Sequence, residues 1–119
     1  MSLEVIGVNP VLEAVFGTAA AAQCLMFIEA YGSGYAQRIA ETFDVPQTGI
    51  YRQLRRLEAE GVLLSRSVGV TRLFEFNTRN PTVRRLREFL AQEIAALPED
   101  QVKRYYRQRQ RPRRAGKGE

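Results

Sequence analysis

The sequence has no histidine, no tryptophan and a single cysteine, Cys24, among its 119 residues. One cysteine cannot form an internal disulfide, which suits a reducing compartment. One thiol without any imidazole cannot supply the clustered Cys and His ligands that a soft-metal sensor site needs. The chain also has no histidine-based catalytic set, no phosphate-cradling glycine motif and no cysteine pair. We therefore expect no enzyme, no metal site and no cofactor.

Long apolar runs are absent as well, since no stretch approaches the ~20 apolar residues of a membrane span. Residues 1–7 show no basic start followed by an apolar block, so we expect no secretory signal. These features predict a cytoplasmic protein with no membrane partner. Cys24 lies within an apolar segment, which favours a small buried core residue over a redox switch.

Positive charge is concentrated near the end of the chain. The whole chain has 18 Lys+Arg and 13 Asp+Glu, a net charge of +5, but residues 1–100 contain only 10 of the former and 12 of the latter. Residues 101–119 contain the other 8 Lys+Arg and the other 1 Asp+Glu, which gives them a net charge of +7. The globular part is mildly acidic, so a surface there that attracts phosphate must be a local one.

The spacing of apolar residues predicts a mainly helical domain with one β-hairpin. Helices are expected over residues 10–16, 18–31, 35–43 and 47–60, and a last one runs from Asn80-Pro81 to Pro98. Strands are expected over residues 63–67 and 71–76, on either side of a Val68-Gly69-Val70 loop. Between the third and fourth helices, Asp44-Val45-Pro46 predicts a tight turn, because proline suits the start of a helix and not its continuation.

The fourth predicted helix has two distinct faces. Its apolar face consists of Ile50, Leu54 and Leu57, which fall within about 60° of one another at ~100° per residue. Thr48, Arg52 and Arg55 lie roughly opposite, with Tyr51 and Arg56 on the flanks. Acids appear only in the last turn, as Glu58 and Glu60, where the helix dipole disfavours them. This pattern favours a face that contacts DNA over a merely solvated face.

From residue 37 to residue 76, the order helix, tight turn, helix and two-stranded ribbon is that of a winged helix-turn-helix. The chain resembles regulators of the ArsR/MarR type from Phe16 to about Leu90. The segments that carry the resemblance are Ile39-Ala40 and residues 45–54, 57–63 and 72–77. It implies a mainly α fold with a small antiparallel β-hairpin wing (α+β). Asp44 and Gly49 depart from the pattern, which commonly has glycine or a small polar residue at the first position and threonine at the second.

In that fold the fourth helix enters the major groove of DNA, and its N-terminal side chains contact base edges. The resemblance assigns base contacts to Gln47, Thr48, Tyr51 and Arg52. The chemistry agrees, because glutamine can pair bidentately with adenine and arginine with guanine.

Contacts to the DNA backbone are predicted for four arginines: Arg55, Arg56, Arg66 and Arg72. The first two lie further along the fourth helix, and the others flank the wing loop. The alternatives are a solvated helix face with an Arg56–Glu60 ion pair, and arginines that only protect the edge of the ribbon.

Two further parts complete the predicted organisation. Residues 1–97 form the winged domain, in which the flanking helices 10–16 and 82–97 build a homodimer interface or, alternatively, pack back on their own domain. Residues 98–119 form a basic flexible tail. Its candidate residues for non-specific nucleic-acid binding are Lys103, Arg104, Arg107, Arg109, Arg111, Arg113 and Arg114. The alternative for this tail is a disordered, solubilising end.

The sequence therefore predicts a sequence-specific, double-stranded DNA-binding transcriptional regulator that acts as a homodimer, as a repressor. The recognition helix spans about residues 47–60 and the wing about 63–76. Two alternatives stay open: a winged-helix module for protein interaction, such as an antitoxin or adaptor, and RNA binding through the Arg/Tyr-rich tail. No polar cluster in the sequence marks a site for a small-molecule effector.

Overall fold

The computed structural model describes residues 7–108. Its helices are α1 (Pro10–Phe16), α2 (Ala19–Tyr31), α3 (Ala36–Phe43), α4 (Gln47–Ala59), α5 (Pro81–Ala95) and α6 (Glu99–Gln101), which continues as a π-helical turn (Val102–Tyr106). Its strands are β1 (Gly34–Tyr35), β2 (Leu63–Val68) and β3 (Thr71–Phe76). Each helix predicted from the sequence is present, with boundaries that differ by no more than about two residues.

Side-chain caps explain where the first helices begin. The Asn9 side chain accepts a hydrogen bond from the Val11 N–H at 2.9 Å, and Thr18 Oγ1 accepts one from the Ala21 N–H at 3.0 Å. Each cap satisfies a donor that has no partner within its own helix. Gly32, at φ 89°, ends α2 in the left-handed conformation that glycine adopts without strain.

Helix α2 is the centre of the core, since every residue from 21 to 28 is buried. Cys24 is among them, and its Sγ lies 3.7 Å from the Ile50 carbonyl oxygen of α4. Burial raises the pKa of the Cys24 thiol to about 12, because an apolar site disfavours the thiolate. The prediction that Cys24 is a buried core residue is confirmed.

The strands form one antiparallel sheet in the order β1-β3-β2. The hairpin of β2 and β3, here called the wing, pairs Leu63 with Phe76 and Val68 with Thr71. Its loop is therefore Gly69-Val70, one residue shorter than predicted. Strand β1 was not predicted, because two residues are too few to show an alternating pattern.

Helix α5 covers one side of α2. Its predicted apolar stripe packs against the core: Val83 and Leu90 are buried, while Leu86, Ile94 and the following Leu97 are partly buried. A smaller set of large apolar side chains remains exposed on the flanking helices, namely Val11, Val15 and Phe89. The flanking helices thus pack largely on their own domain and still present apolar surface to solvent.

For residues 99–106, the expectation of a flexible tail is wrong. Val102, Tyr105 and Tyr106 are buried, and the Tyr105 ring stacks on Phe43 at a centroid distance of 5.4 Å. The Tyr106 hydroxyl donates to the Gly7 carbonyl oxygen at 2.5 Å. The charge of this segment predicted an exposed tail, whereas Val102, Tyr105 and Tyr106 among the charged residues pack on the core. The domain extends beyond the predicted boundary at residue 97.

Within residues 7–108, no single helix is both long and apolar enough to cross a membrane. Helices α1 and α2 reach that length and apolarity only together, and they meet at an angle of 105°.

We predict that Tyr105→Ala lowers the free energy of unfolding by about 3 kcal/mol, because truncation removes a buried aromatic ring and leaves a cavity. The matched control is Tyr105→Phe, which keeps the ring stacked on Phe43; we expect a change below about 0.5 kcal/mol. Urea denaturation followed by circular dichroism measures both. An alanine variant as stable as the wild type would contradict the packing of residues 99–106 on the domain.

Candidate nucleic-acid interface

The turn between α3 and α4 depends on one left-handed residue. Asp44 has φ 57° and ψ 51°, and the Val45 N–H that follows donates to the Ala40 carbonyl oxygen at 3.0 Å. Aspartate tolerates this conformation better than most residues, which explains why it can occupy a position where glycine is common. Pro46 then precedes the first turn of α4. The turn brings α3 and α4 together over Ala40, which is buried.

The two faces of α4 are as the sequence predicts. On one face Ile50 and Leu54 are completely buried and Leu57 is 5% exposed. On the other face the six predicted DNA-contacting residues of this helix are all exposed: Gln47, Thr48, Tyr51, Arg52, Arg55 and Arg56. The buried face holds the helix rigidly against the domain, so the exposed face presents its side chains from a fixed backbone.

A groove of about 660 Å³ separates α3 and the start of α4 from the wing. Gln47 and Tyr51 line it from α4, Gln37 and Arg38 from α3, and Arg72 from the wing. The structure thus brings together two of the predicted base-contacting residues and one predicted backbone contact. Thr48 and Arg52 lie on the same exposed helix but outside the lining of this groove. The contribution of α3 was not predicted from the sequence.

The register of the wing separates its two predicted contacts. Arg66 lies opposite Leu73, while Ser67 lies opposite Arg72. Because successive residues of a strand point to opposite faces, Arg66 and Arg72 lie on opposite faces of the hairpin. Arg72 lines the groove beside α4, and Arg66 is exposed on the other face. The two arginines therefore cannot approach one phosphate from the same side.

Tyr51 and Arg55 contact one another on the surface of α4. The Arg55 Nη1 donates to the Tyr51 hydroxyl at 2.9 Å, and this bond raises the pKa of Arg55. The Arg55 Nε lies 3.3 Å from Oε1 of Glu58. The Tyr51 ring meets Phe74 edge-on at a centroid distance of 6.4 Å. Of the predicted phosphate contacts, Arg55 is thus the one whose guanidinium is engaged by two neighbours on its own helix.

Sequence reasoning missed Glu58 and Ser65, which join α4 to the wing. The Ser65 hydroxyl donates to Glu58 Oε2 at 2.5 Å and accepts from Arg72 Nη1 at 3.0 Å. The Arg72 Nη2 also donates to the Ser67 hydroxyl at 3.4 Å. The spacing of Arg55 and Glu58, three residues apart on a helix, was the one signal in the sequence that could have pointed to this link.

Arg56 takes a different partner from the one that the sequence offered. Its Nε donates to Gln53 Oε1 at 2.9 Å, and among the described residues no ion pair joins it to Glu60. Arg56 and Gln53 both belong to α4, and Arg56 remains exposed.

The basic residues after 98 divide into two groups. Lys103, Arg104 and Arg107 are exposed on the packed C-terminal segment, where Lys103 and Arg107 lie 3.9 and 3.7 Å from Glu99. The other predicted tail contacts, Arg109, Arg111, Arg113 and Arg114, lie outside the described residues. Because Tyr105 and Tyr106 are buried, they are not free to stack on bases, which weakens the alternative of RNA binding through an Arg/Tyr tail.

The last described residue, Gln108, lies beside α3 of the helix-turn-helix. The Gln108 N–H donates to the Tyr31 hydroxyl at 2.9 Å, and Thr42 Oγ1 lies 3.4 Å from Gln108 Oε1. Thr42 is one helical turn from Arg38, which lines the groove. Between residues 7 and 108, no group of three or more His, Cys, Asp or Glu side chains is arranged to hold a metal ion.

No protein-family profile matches this chain, and no curated protein matches it. A solved structure does: the solution NMR structure of the homodimeric winged helix-turn-helix DNA-binding domain (fragment 1–100) of a possible ArsR-family transcriptional regulator from Mycobacterium bovis. The TM-score is 0.50 at 19% sequence identity, and the match covers 80% of this chain and 90% of that chain. The fold of this chain is a winged helix-turn-helix, mainly helical with a small antiparallel sheet. The predicted fold class is confirmed, with β1 as an additional strand.

We predict that Asp44→Gly is more stable than Asp44→Ala by about 1–2 kcal/mol, because the left-handed conformation at this turn strains a residue with a Cβ and not glycine. The two variants lose the same carboxylate, so their comparison isolates the backbone effect. Urea denaturation of both measures the difference. Equal stabilities would contradict the left-handed turn.

Proposed function

We propose that this winged helix-turn-helix chain is a sequence-specific, double-stranded DNA-binding transcriptional regulator of the ArsR/MarR type. The observation that carries the proposal is the division of α4 into a buried apolar face and an exposed face of polar and cationic side chains beside a groove. A rigid helix with this division has the form of a recognition helix in a major groove. The M. bovis structure, whose description names a DNA-binding domain, adds support through its fold.

In the proposed complex, the N-terminal half of α4 enters the major groove. Gln47 and Arg52 suit bidentate pairing with adenine and guanine, while Thr48 and Tyr51 offer hydroxyl groups to base edges. These four side chains are exposed on one helix, so a single docking pose reaches adjacent base pairs.

Contacts to phosphate position the helix and carry no sequence information of their own. Arg72 lines the protein groove between the wing and α4, where it suits contact with a phosphate of the DNA strand that borders the major groove. Arg66 on the opposite face suits the neighbouring minor groove, and Arg56 suits a phosphate at the end of α4. The basic residues 109, 111, 113 and 114 follow Gln108, which lies beside α3, and we propose that they add non-specific phosphate contacts.

We further propose that the regulator acts as a homodimer and represses by occupying its operator. The support is the apolar surface that α1 and α5 leave exposed: Val11 is 63% exposed, Val15 67% and Phe89 42%. A two-fold dimer would present two α4 helices to successive major-groove segments about 34 Å apart on a palindromic site. The M. bovis domain is described as homodimeric.

A second candidate function is a winged-helix module that binds another protein. The observation that favours it is the apolar outer surface of the wing, where Leu64 is 46% exposed and Val70 at the tip is fully exposed. DNA-contacting wings more often carry polar residues at the tip. Failure of the protein to retard duplex DNA at low salt, together with a co-purifying protein, would decide for this candidate.

We predict that Arg52→Ala removes most of the preference for a cognate site. Selection from random duplex DNA first identifies that site, and gel retardation then gives Kd for the selected and a random duplex. The affinity ratio should fall by about ten-fold or more, because a bidentate arginine–guanine pair supplies about 1–3 kcal/mol of discrimination. Deletion of residues 109–119 should instead weaken both duplexes by the same factor.

The matched control for Arg52→Ala is Arg79→Ala, which removes the same charge from an exposed position before α5. It should leave the ratio unchanged. If Arg52→Ala weakened both duplexes equally, the base-contacting role of Arg52 would be refuted.

We predict that Val15→Lys shifts the protein from dimer to monomer, because a charge in an apolar interface lacks a partner. The control is Ala14→Lys, which adds the same charge at an exposed neighbouring position of α1. Sedimentation equilibrium measures the assembly state, and circular dichroism checks that both variants fold. A wild-type monomer, or equal behaviour of the two variants, would contradict this interface.

A further inference from the structure

An unbroken series of polar contacts runs from the wing to the DNA-facing surface of α4. In order along the series, its members are Arg72, Ser65, Glu58, Arg55 and Tyr51. The four links measure 3.0, 2.5, 3.3 and 2.9 Å. The series begins at a predicted phosphate contact and ends at a predicted base contact, and the three residues between them connect two separate elements of the fold.

Glu58 is the centre of this series, because its two carboxylate oxygens face different elements. Oε2 accepts from Ser65 of the wing, and Oε1 pairs with Arg55 of α4. The Glu58 side chain is 29% exposed, against 55% for Arg55. An acid in the last turn of a helix is disfavoured by the helix dipole, and an acid near phosphate is repelled. The contacts with Ser65 and Arg55 offset both of these costs. Glu58 therefore has a structural role beyond keeping the surface soluble.

Arg55 is held on two sides by these contacts. Its Nε points to Glu58 and its Nη1 to the Tyr51 hydroxyl, and its Cζ lies 5.8 Å from the Tyr51 ring centroid. Phe74 of the wing contacts the same ring edge-on. The Tyr51 ring therefore contacts both a guanidinium from its own helix and an aromatic ring from the wing.

The bond from Arg55 also decides which hydrogen-bonding role Tyr51 can play. A phenol oxygen has one hydrogen to donate and can also accept. Since the hydroxyl already accepts from Arg55, its own hydrogen is left to donate outward. In the major groove, hydrogen-bond acceptors are N7 and O6 of guanine, N7 of adenine and O4 of thymine.

We propose that Glu58 is a positioning residue for base recognition: it holds Arg55 against Tyr51, so that Tyr51 presents its O–H as a donor to an acceptor on a base edge. Arg55 then serves to orient Tyr51 and does not bind phosphate, contrary to its sequence-based assignment. This inference rests on the proposed DNA-binding function and adds the residues that make Tyr51 selective.

The test compares the full-length Glu58→Gln and Glu60→Gln variants with the wild type, using the selected and the random duplex at one salt concentration. Glu60 is an exposed acid of the same turn with no ion pair among residues 7–108, so both variants lose the same charge. If the loss of a negative charge were the only effect, both variants would bind both duplexes more tightly, and the ratio would stay unchanged. The proposal expects Glu58→Gln to lower the selected-to-random ratio by about five- to ten-fold, the effect of losing one oriented base contact. Glu60→Gln should leave the ratio unchanged.

A double-mutant cycle assigns the effect to Tyr51. In the Tyr51→Phe background, which has no hydroxyl to orient, Glu58→Gln should cause no further loss of the ratio. Ser65→Ala, which removes the other anchor of Glu58, should lower the ratio in the same direction and provides a second variant if Glu58→Gln proves poorly folded. Additive losses in the cycle would overturn the proposal.

Salt dependence tests the role of Arg55. The slope of log K against log salt falls by about 0.9 for each phosphate contact that is lost. Arg55→Gln should leave this slope unchanged while it lowers the selected-to-random ratio, whereas Arg56→Gln should reduce the slope. A wild-type protein with equal affinity for both duplexes would overturn the proposed function and this inference with it. If Glu58→Gln kept the full selected-to-random affinity ratio, this inference alone would be overturned.

Discussion

The burial of one face of α4 against the central helix α2 is the contact on which the candidate interface depends. Ile50 and Leu54 are completely buried, and the backbone of Ile50 lies against Cys24 of α2. Truncating such a side chain typically costs about 2–5 kcal/mol of the free energy of unfolding. The two side chains together therefore contribute a free energy comparable to the stability of a whole domain. Because that face is committed, the opposite face cannot turn inward, and its arginines remain available to a partner.

The wing is attached to this helix by two kinds of contact. Phe74 is buried at the base of the wing and meets the Tyr51 ring, while Ser65 reaches Glu58 through a hydrogen bond. Apolar packing sets the distance between the two elements, and the polar contacts set the direction of the side chains on them. The wing and α4 therefore behave as one surface, although the chain reverses twice between them. If Tyr51 contacts a base as proposed, Glu58 would influence which base is selected without contacting DNA itself.

The C-terminal segment shows how charge and packing coexist in one short stretch. Lys103, Arg104 and Arg107 are exposed, whereas Tyr105 and Tyr106 between them are buried. Desolvation raises the pKa of Tyr106 far above its usual value, so this hydroxyl stays neutral while it donates to Gly7. The segment thus closes the domain by joining its two ends. Its last described residue, Gln108, lies beside Thr42 of α3.

The sequence by itself determined helices α1 to α5, the wing and the two faces of α4. These follow from local rules: a period of 3.6 residues, a capping oxygen within three residues, and glycine or proline at the turns. Only the tertiary structure decided that β1 pairs with β3, that Tyr106 reaches Gly7 across 99 positions, and that Glu58 links Arg55 to Ser65. Such contacts join elements that are separate in the sequence or depend on the register of a hairpin. Periodicity reports which side of an element is apolar, but not which element that side will meet.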